Sequence, residues 1–417
     1  MTFRRLRLAM LLGAISLSAL AIGLWVWNDH RDSEALEVER LSRSGQTDEA
    51  RRLVQRWITR RPSSAEAWIW KTRLALETRR PAEAAQGLRK AEEFRADPRK
   101  IDLLRAIALG QSGDFTRAEP VLRDAFNAQG EPDPLLDETL ARIYLESYDM
   151  IRAGSVITRW MRDSPDDPKP FLWRAEVDTR TGNIDRLLTD YQEALARDPH
   201  SAPGRLGLAE QLRVAHRNIE ATAAFGAYLE QNPNNAIGHL GAGRNAAELG
   251  ETDAALEHLE YAIKLTPNDP LTCRSIAELL SRKGELHAAL AHLDRAVATD
   301  PFDLEVRHSR GLVLARLGRT EAAESDQAKA NQFRKELDVL LTAQAKLVRL
   351  PNDREAQVCI MSWMFAHGKA MEGERWAKNL LREVPSQPDA CRLLAEYYDK
   401  GGQPGLANSY RAQIDMR

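Results

Sequence analysis

The 417-residue sequence has few aromatic residues and no excess of charge of either sign. Its 59 basic side chains are balanced by 61 acidic ones, so it has no surplus of positive charge with which to grip a nucleic-acid backbone. Aromatic residues make up 6%, while hydrophobic residues make up 43% and charged residues 29%. This composition, with abundant Ala and Leu, favours an ordered helical protein and disfavours a disordered one. Nucleic acid is not expected as a partner.

Cysteine is scarce, with only three in the chain, Cys273, Cys359 and Cys391. They are far apart, and the sequence has no CxxC, no CxxCH and no paired histidines at ligand spacing. We therefore expect small buried apolar residues, with no metal and no cofactor. A disulfide between Cys359 and Cys391 is disfavoured, because neighbouring parallel helices usually hold their Cα atoms beyond bridging distance.

Catalytic motifs are also missing. The sequence contains no GxSxG, no Walker loop, no GxGxxG and no HExxH. His258 and His292 stand at equivalent places 34 residues apart, which we interpret as surface residues copied with their repeat and not as metal ligands. The sequence therefore predicts no enzyme and no catalytic residue.

The first thirty residues combine a basic start with an uninterrupted apolar run. Arginines precede residue 8, and no charged residue follows until Asp29. A helix over residues 8–27 would be about 30 Å long, which matches the hydrocarbon thickness of a bilayer. We expect a cytoplasmic N-terminus at residues 1–7 and a transmembrane signal-anchor helix at residues 8–28. Because arginines resist translocation, this predicts a single-pass protein of the inner (cytoplasmic) membrane whose remaining chain is extracytoplasmic or periplasmic.

Two other interpretations of this segment remain open. Ala19 and Ala21 form an A-x-A pattern, which is typical of a cleaved signal peptide. The apolar run continues past that point as IGLWVW, however, and this favours an anchor. The third interpretation is a buried core helix.

The rest of the chain repeats itself. LGETDAALEHLEYAIKLTP at 249–267 is followed by KGELHAALAHLDRAVATDP at 283–301, one stride of 34 residues later. Prolines recur at this stride, and glycines recur between them; these are Pro165, Pro199, Pro233, Pro267 and Pro301, with Gly45, Gly113, Gly182, Gly250, Gly284, Gly318, Gly368 and Gly402. Glycine supplies the left-handed backbone that ends one helix, and proline prevents the next helix from continuing. Each unit therefore predicts a first helix, a turn and a second helix.

Small residues recur where the two helices of a unit would cross, and large ones recur between them. The first helix has Ala106, Ala141, Ala175, Ala209, Gly243, Ala277, Gly311 and Ala395 at this place. The second helix has Ala50, Ala84, Ala118, Ala153, Ala221, Ala255, Ala289, Ala323 and Ala407. Four residues further on stand Leu88, Leu122, Ile157, Tyr191, Phe225, Leu259 and Leu293. Small side chains permit close helix crossings, and large ones fill the gaps between them.

This pattern resembles the tetratricopeptide repeat family. The resemblance implies an all-α solenoid of about eleven 34-residue helix-turn-helix repeats, preceded by the N-terminal transmembrane helix. Repeats 1–9 would occupy residues 31–337 and repeats 10–11 residues 354–417. Some residues depart from the family pattern: Arg79, Tyr148 and His216 replace the turn glycine, and Leu187 and Gly373 replace the second-helix alanine.

One segment, residues 338–353, interrupts the stride. There is neither Gly nor Pro from Thr320 to Leu350, so we expect a long helix of about 45 Å. We expect its apolar face to consist of Leu337, Leu340, Leu341, Leu347 and Val348. The insertion is interpreted either as extra helical turns that pack on the array or as a separator between a nine-repeat body and a two-repeat tail.

The predicted binding surface is a concave groove lined by first helices. The ninth residue of each unit is a groove candidate, and charges of both signs occur there. The candidates are Arg142, Glu176, Glu210, Arg244 and Glu278. The alternative is that these charges only solvate an exposed face.

The predicted function is a membrane-anchored scaffold that binds a protein or peptide partner in its groove. Bacterial proteins of similar appearance support envelope assembly, biogenesis or export, which is an argument by analogy only. The alternatives are a repeat module that binds polysaccharide or cell-wall polymer, and a structural homo-oligomer formed through the array ends.

Overall fold

The computed structural model describes residues 33–128 and 132–415, and within them all regular structure is helical. The chain divides between Thr139 and Leu140 into two compact units. The helices of the first unit, and α7 at the division, are α1 (33–43), α2 (Thr47–Arg60), α3 (Ala65–Glu77), α4 (Pro81–Glu93), α5 (Pro98–Gln111), α6 (Phe115–Asn127) and α7 (Pro134–Glu146).

The second unit continues the same alternation. Its helices are α8 (Met150–Asp163), α9 (Lys169–Thr181), α10 (Leu187–Arg197), α11 (Ala202–Val214), α12 (Asn218–Gln231), α13 (Ala236–Leu249), α14 (Thr252–Leu265), α15 (Pro270–Arg282), α16 (Leu286–Thr299), α17 (Leu304–Arg316), α18 (Thr320–Arg349), α19 (Arg354–Ala366), α20 (Ala370–Glu383), α21 (Pro388–Lys400) and α22 (Pro404–Asp415). A short 3-10 turn, Ile184–Arg186, precedes α10. Odd-numbered helices are called first helices below, and even-numbered ones second helices.

The turns between first and second helices have the predicted left-handed backbone. All eight predicted turn glycines have positive φ, from 69° at Gly402 to 89° at Gly113. Arg79, Tyr148 and His216, which stand in place of a turn glycine, adopt the same conformation with φ of 55°, 59° and 57°. A residue with a side chain is disfavoured there, because its Cβ approaches the backbone too closely.

Small residues at the crossings let the helices approach closely. A Cβ on Gly243 of α13 would lie 2.7 Å from the side chain of Leu259 in α14, its own second helix. A Cβ on Gly241 would lie 2.4 Å from the Phe225 ring, which comes from α12 of the preceding helix pair. The first helix α13 therefore packs on two second helices, its own and the preceding one, and the same arrangement recurs along most of the described chain, as a repeat array requires.

First helices lie on the inner side of each unit's curvature. Successive first helices contact each other directly, as α3 does α5, α11 does α13 and α15 does α17. Within the described residues, successive second helices make less extensive contact with each other than successive first helices do. The row that is more tightly spaced is the concave one, so first-helix side chains that point away from the second helices face inward.

The long helix α18 has 30 residues, close to the length predicted for it. Leu340, Ala343 and Leu347 are buried against a cluster of apolar residues from α19 to α22. Leu341 is 52% exposed, which corrects its predicted place on the apolar face. A helix turns about 100° per residue, so Leu341 falls off the buried stripe of Leu340, Ala343 and Leu347.

The predicted single-pass inner-membrane localisation is wrong on this structure. Among residues 33–128 and 132–415, no helix is both long enough and apolar enough to cross a bilayer. Even the longest helix, α18, carries charged residues along its length, which a bilayer core would not accommodate. The predicted segments at residues 1–7 and 8–28 lie outside the described residues.

Candidate functional site

The candidate site lies on the inner side of first helices in the second unit. The five predicted groove residues lie on five such helices: Arg142 on α7, Glu176 on α9, Glu210 on α11, Arg244 on α13 and Glu278 on α15. We call the inward side of α11, α13, α15 and α17 the inner face. It carries a chain of ion pairs between neighbouring first helices.

Arg213 is the most deeply placed arginine of this face. Its Nε and Nη2 donate to the two carboxylate oxygens of Glu210, at 3.0 and 2.6 Å, one helical turn earlier on α11. Its Nη1 donates to Glu248 of α13. The hydrogen bonds to Glu210 are the main cause of a raised pKa of Arg213. Both carboxylates are therefore already engaged by one guanidinium.

Arg244 of α13 has the opposite environment. Its nearest carboxylate oxygen belongs to Glu210, 3.7 Å from Nη1, which is beyond hydrogen-bonding distance. It donates no hydrogen bond to any of the residues described. Burial lowers the pKa of Arg244, and the nearby guanidiniums of Arg213 and Arg274 lower it further.

The exposed fraction of the Arg244 side chain is 31%, so its guanidinium can be reached from outside. A guanidinium has five N–H donors in a planar fork that matches a carboxylate. Arg244 is therefore a half-buried cation whose N–H groups remain available to donate hydrogen bonds.

Arg274 of α15 completes the row. Its Nη1 donates to Glu278 at 3.2 Å and lies 3.9 Å from Glu305 of α17. Arg213 and Arg274 thus flank Arg244 on the two adjacent first helices, each with carboxylates of its own. Arg244 differs from both in its hydrogen bonding.

The predicted groove residues are only partly brought together. Glu210 and Arg244 come into proximity, whereas Glu176 is exposed and accepts from Arg180 of its own helix at 3.0 Å. Arg142 is partly buried on α7. The surroundings of Glu176 fit the alternative of a solvated face, and those of Arg244 do not.

Three residues of the inner face, Arg213, Glu248 and Arg274, do not occupy the ninth position of a repeat, so the ninth-position pattern does not predict them. The sequence does contain a signal for Arg213. Glu210 and Arg213 are three residues apart, which is a spacing for ion pairs on one helix. The approach of Glu248 from α13 had no counterpart in the local sequence.

Histidines and cysteines form no comparable site in the described part of the chain. His258 Nδ1 lies 3.1 Å from His239 Nδ1, and burial followed by the His239 charge lowers the pKa of His258. No group of three or more His, Cys, Asp or Glu side chains within the described ranges is arranged to hold a metal ion. Cys273, Cys359 and Cys391 are free thiols.

Comparison with known families gives a direct match. A tetratricopeptide repeat model matches residues 27–298, which is more than half of the chain, and a second tetratricopeptide repeat model matches residues 275–332. No curated protein matches the sequence.

Several solved structures are similar in fold. YrrB, described as a TPR protein with an unusual peptide-binding site, is 23% identical over 46% of this chain and 97% of its own, with a TM-score of 0.33. TTC0263, a thermophilic TPR protein of Thermus thermophilus, is 25% identical over 43% and 99%, with a TM-score of 0.38. The human IFIT1 dimer with PPP-AAAA is 16% identical over 83% and 89%, with a TM-score of 0.43. With TM-scores below 0.5, none of these likenesses carries an argument about function.

Proposed function

Because this chain belongs to the tetratricopeptide repeat family, we propose that it is a scaffold which binds a protein or peptide partner on the inner face of its second unit. Tetratricopeptide repeat proteins generally mediate protein or peptide binding, and the fold is typically a non-catalytic interaction scaffold. The proposed partner is an extended segment or a helix that presents an acidic side chain.

The observation that carries this proposal is the state of Arg244. A half-buried guanidinium without a hydrogen bond is an unfavourable arrangement, and a carboxylate from outside would relieve it. Glu210 does not do so in this structure, because Arg213 donates to both of its oxygens and the Arg244 guanidinium stays 3.7 Å away. Arg142, Glu176, Glu210 and Glu278 remain in the proposal as residues that line the path of the partner on either side.

Eleven repeats with the boundaries 31–337 and 354–417 belong to the same proposal. The family models support repeats as far as residue 332. Beyond it, α19 packs on α20 and α21 packs on α22, which continues the alternation of first and second helices.

Selection of peptides tests the function. The chain is immobilised, and a random peptide library is selected on it and sequenced. We expect peptides enriched in Asp and Glu, whose affinity falls about tenfold with Arg244→Gln, because the charged hydrogen bonds to the guanidinium are lost. Binding is measured by calorimetry on individual synthetic peptides.

Arg334→Gln is the matched control, because Arg334 is an exposed arginine on α18, away from the inner face. It should leave the affinity unchanged. Selected peptides without acidic residues, or equal loss with both variants, would contradict the proposal.

A further inference from the structure

The turn between α7 and α8 contains a residue that is poorly suited to its backbone. Tyr148 stands where the stride places glycine and has a φ of 59°. Glycine adopts this conformation at no steric cost, whereas a tyrosine does so unfavourably. Such an outlier is a reason to ask what the side chain does.

The Tyr148 ring contacts a distant part of the second unit. It packs against the apolar cluster of α18 to α22, where its ring centroid lies 6.3 Å from that of Trp376 in α20. Two residues earlier in the chain, Glu146 accepts a hydrogen bond from Nη1 of Arg375, the neighbour of Trp376. Two adjacent residues of α20 thus engage two residues at the α7–α8 turn.

This contact joins residues much further apart in the chain than the ion pairs of the inner face do. Ion pairs between neighbouring first helices join residues about one stride apart; Arg213 and Glu248 are separated by 35. Glu146 and Arg375 are separated by 229. Repeat arrays fold through contacts between neighbours, so a contact of this range is not needed to form the helix pairs. It joins the beginning of the second unit to a point near its end.

We propose that Glu146, Tyr148, Arg375 and Trp376 form an intramolecular clasp that controls sideways access to the inner face. When the clasp is closed, the α7–α8 turn contacts α20, so the segment from α8 to α19 forms a closed loop. The first helices of this segment face the inside of the loop. The ion pair is partly exposed, with 28% of the Glu146 side chain and 46% of the Arg375 side chain accessible. An exposed ion pair and one aromatic contact are each weak, so the clasp opens without unfolding a helix.

A distance measurement tests the clasp, using spin labels at Ile151 and Met371, which are both exposed near it. The partly exposed Cys359 is replaced by Ser to prevent labelling there. The unmodified clasp should give one dominant short distance, and Tyr148→Gly should make a longer, broad population predominate. His216→Gly is the matched control: it relieves the same left-handed turn, but the His216 imidazole is exposed and makes no ring contact or side-chain hydrogen bond within the described residues.

Reversing the charges of the Glu146–Arg375 ion pair provides a rescue experiment. Arg375→Glu places two carboxylates together and should open the clasp, and the double variant Glu146→Arg, Arg375→Glu should close it again. Unchanged distances in Tyr148→Gly and Arg375→Glu would overturn the clasp. A loss of helix content in Tyr148→Gly, seen by circular dichroism, would also overturn it, because the ring would then serve folding.

Access to the inner face is tested without any partner. Glu278→Cys places a thiol on this face, and its reaction with a polymer-linked maleimide is compared with that of a small maleimide. If the clasp is open in about a tenth of the molecules, Tyr148→Gly should raise the bulky-reagent rate about tenfold and leave the small-reagent rate unchanged. Equal rates with and without Tyr148 would overturn the control of access. Because no peptide is used, this result is independent of the proposed function.

Discussion

Arg73 in the first unit and Arg244 in the second occupy the same ninth position of the stride, yet their surroundings are opposite. Nη1 and Nη2 of Arg73 donate to the two oxygens of Asp133 at 2.9 and 2.7 Å, and its Nε donates to Glu77 at 3.2 Å. Burial alone would lower the pKa of Arg73, but the carboxylates of Asp133 and Glu77 together outweigh this and raise it. Arg244 has no such partner. The repeat position therefore brings a side chain to the inner side, and the neighbouring chain decides whether it is available.

The partner of Arg73 also has a local role. Asp133 accepts hydrogen bonds from the backbone N–H groups of Leu135 and Leu136 at 3.1 and 3.2 Å, so it caps the start of α7. One carboxylate thus ties α3 to the N-terminus of α7. This is a structural use of an arginine at a position where the sequence predicts binding.

The largest expected effect is the difference in stability loss when Arg73 or Arg244 is replaced. Arg73→Met should destabilise the first unit by about 2 kcal/mol, because it leaves the Asp133 carboxylate partly buried without its charged partner. Arg244→Met should change stability by less than about 0.5 kcal/mol, because it breaks no hydrogen bond within the described chain. Hydrogen exchange of peptides from α3, α7 and α13 measures both effects locally. Equal losses would remove the distinction between the two sites.

The next effect is a pH dependence at the Arg73 site, which the Arg244 site should not share. Burial would raise the pKa of Asp133, but the Arg73 charge and its hydrogen bonds outweigh this and lower it below the ordinary value. Because the folded pKa is the lower one, its contribution to stability is present above about pH 3.9 and is lost as the pH falls through the folded pKa. Asp133→Asn retains a capping side chain, so the first unit should be weaker at neutral pH with a shallower acid loss. Exchange of α3 and α7 on lowering the pH measures this, and an unchanged slope would contradict it.

The smallest effect tests whether Arg244 is available because Arg213 occupies Glu210. Arg213→Met should release Glu210 to pair with Arg244, so the affinity for the selected acidic peptides should fall several-fold. Adding Glu210→Gln to that variant should restore the affinity, because the competing carboxylate is gone. Calorimetry with the same synthetic peptides measures both variants. If the double variant stays weak, competition within the face is not the cause.

Much of the fold could be predicted because its determinants are local. A turn glycine such as Gly250 and a crossing residue such as Gly243 act on groups within their own helix pair, so their spacing reports the hairpin directly. The length of α18 followed in the same way from a stretch without Gly or Pro. Leu341 was misplaced because the buried stripe is set by the helices that pack on α18, and a run of leucines does not show which side they cover.

The candidate site was less predictable for the same physical reason. The ninth position of the repeat lies on a first helix, as Arg244 does, but its lack of a hydrogen-bonding partner depends on Arg213 of the neighbouring helix α11. Arg213 engages both Glu210 and Glu248, and Glu248 belongs to the helix of Arg244 itself. Tyr148 was recognised as a departure from the turn glycine, and its contact with Trp376 had no signal in the sequence.

The sequence by itself determined the helix-turn-helix stride, the left-handed turns and the small residues at helix crossings, because each depends on groups within one or two neighbouring helices. Only the tertiary structure decided which charges of the inner face pair with each other and that the α7–α8 turn meets α20. The charge pairing depends on the displacement between adjacent helix pairs. The contact with α20 depends on the sum of these displacements over many crossings, which no single repeat records.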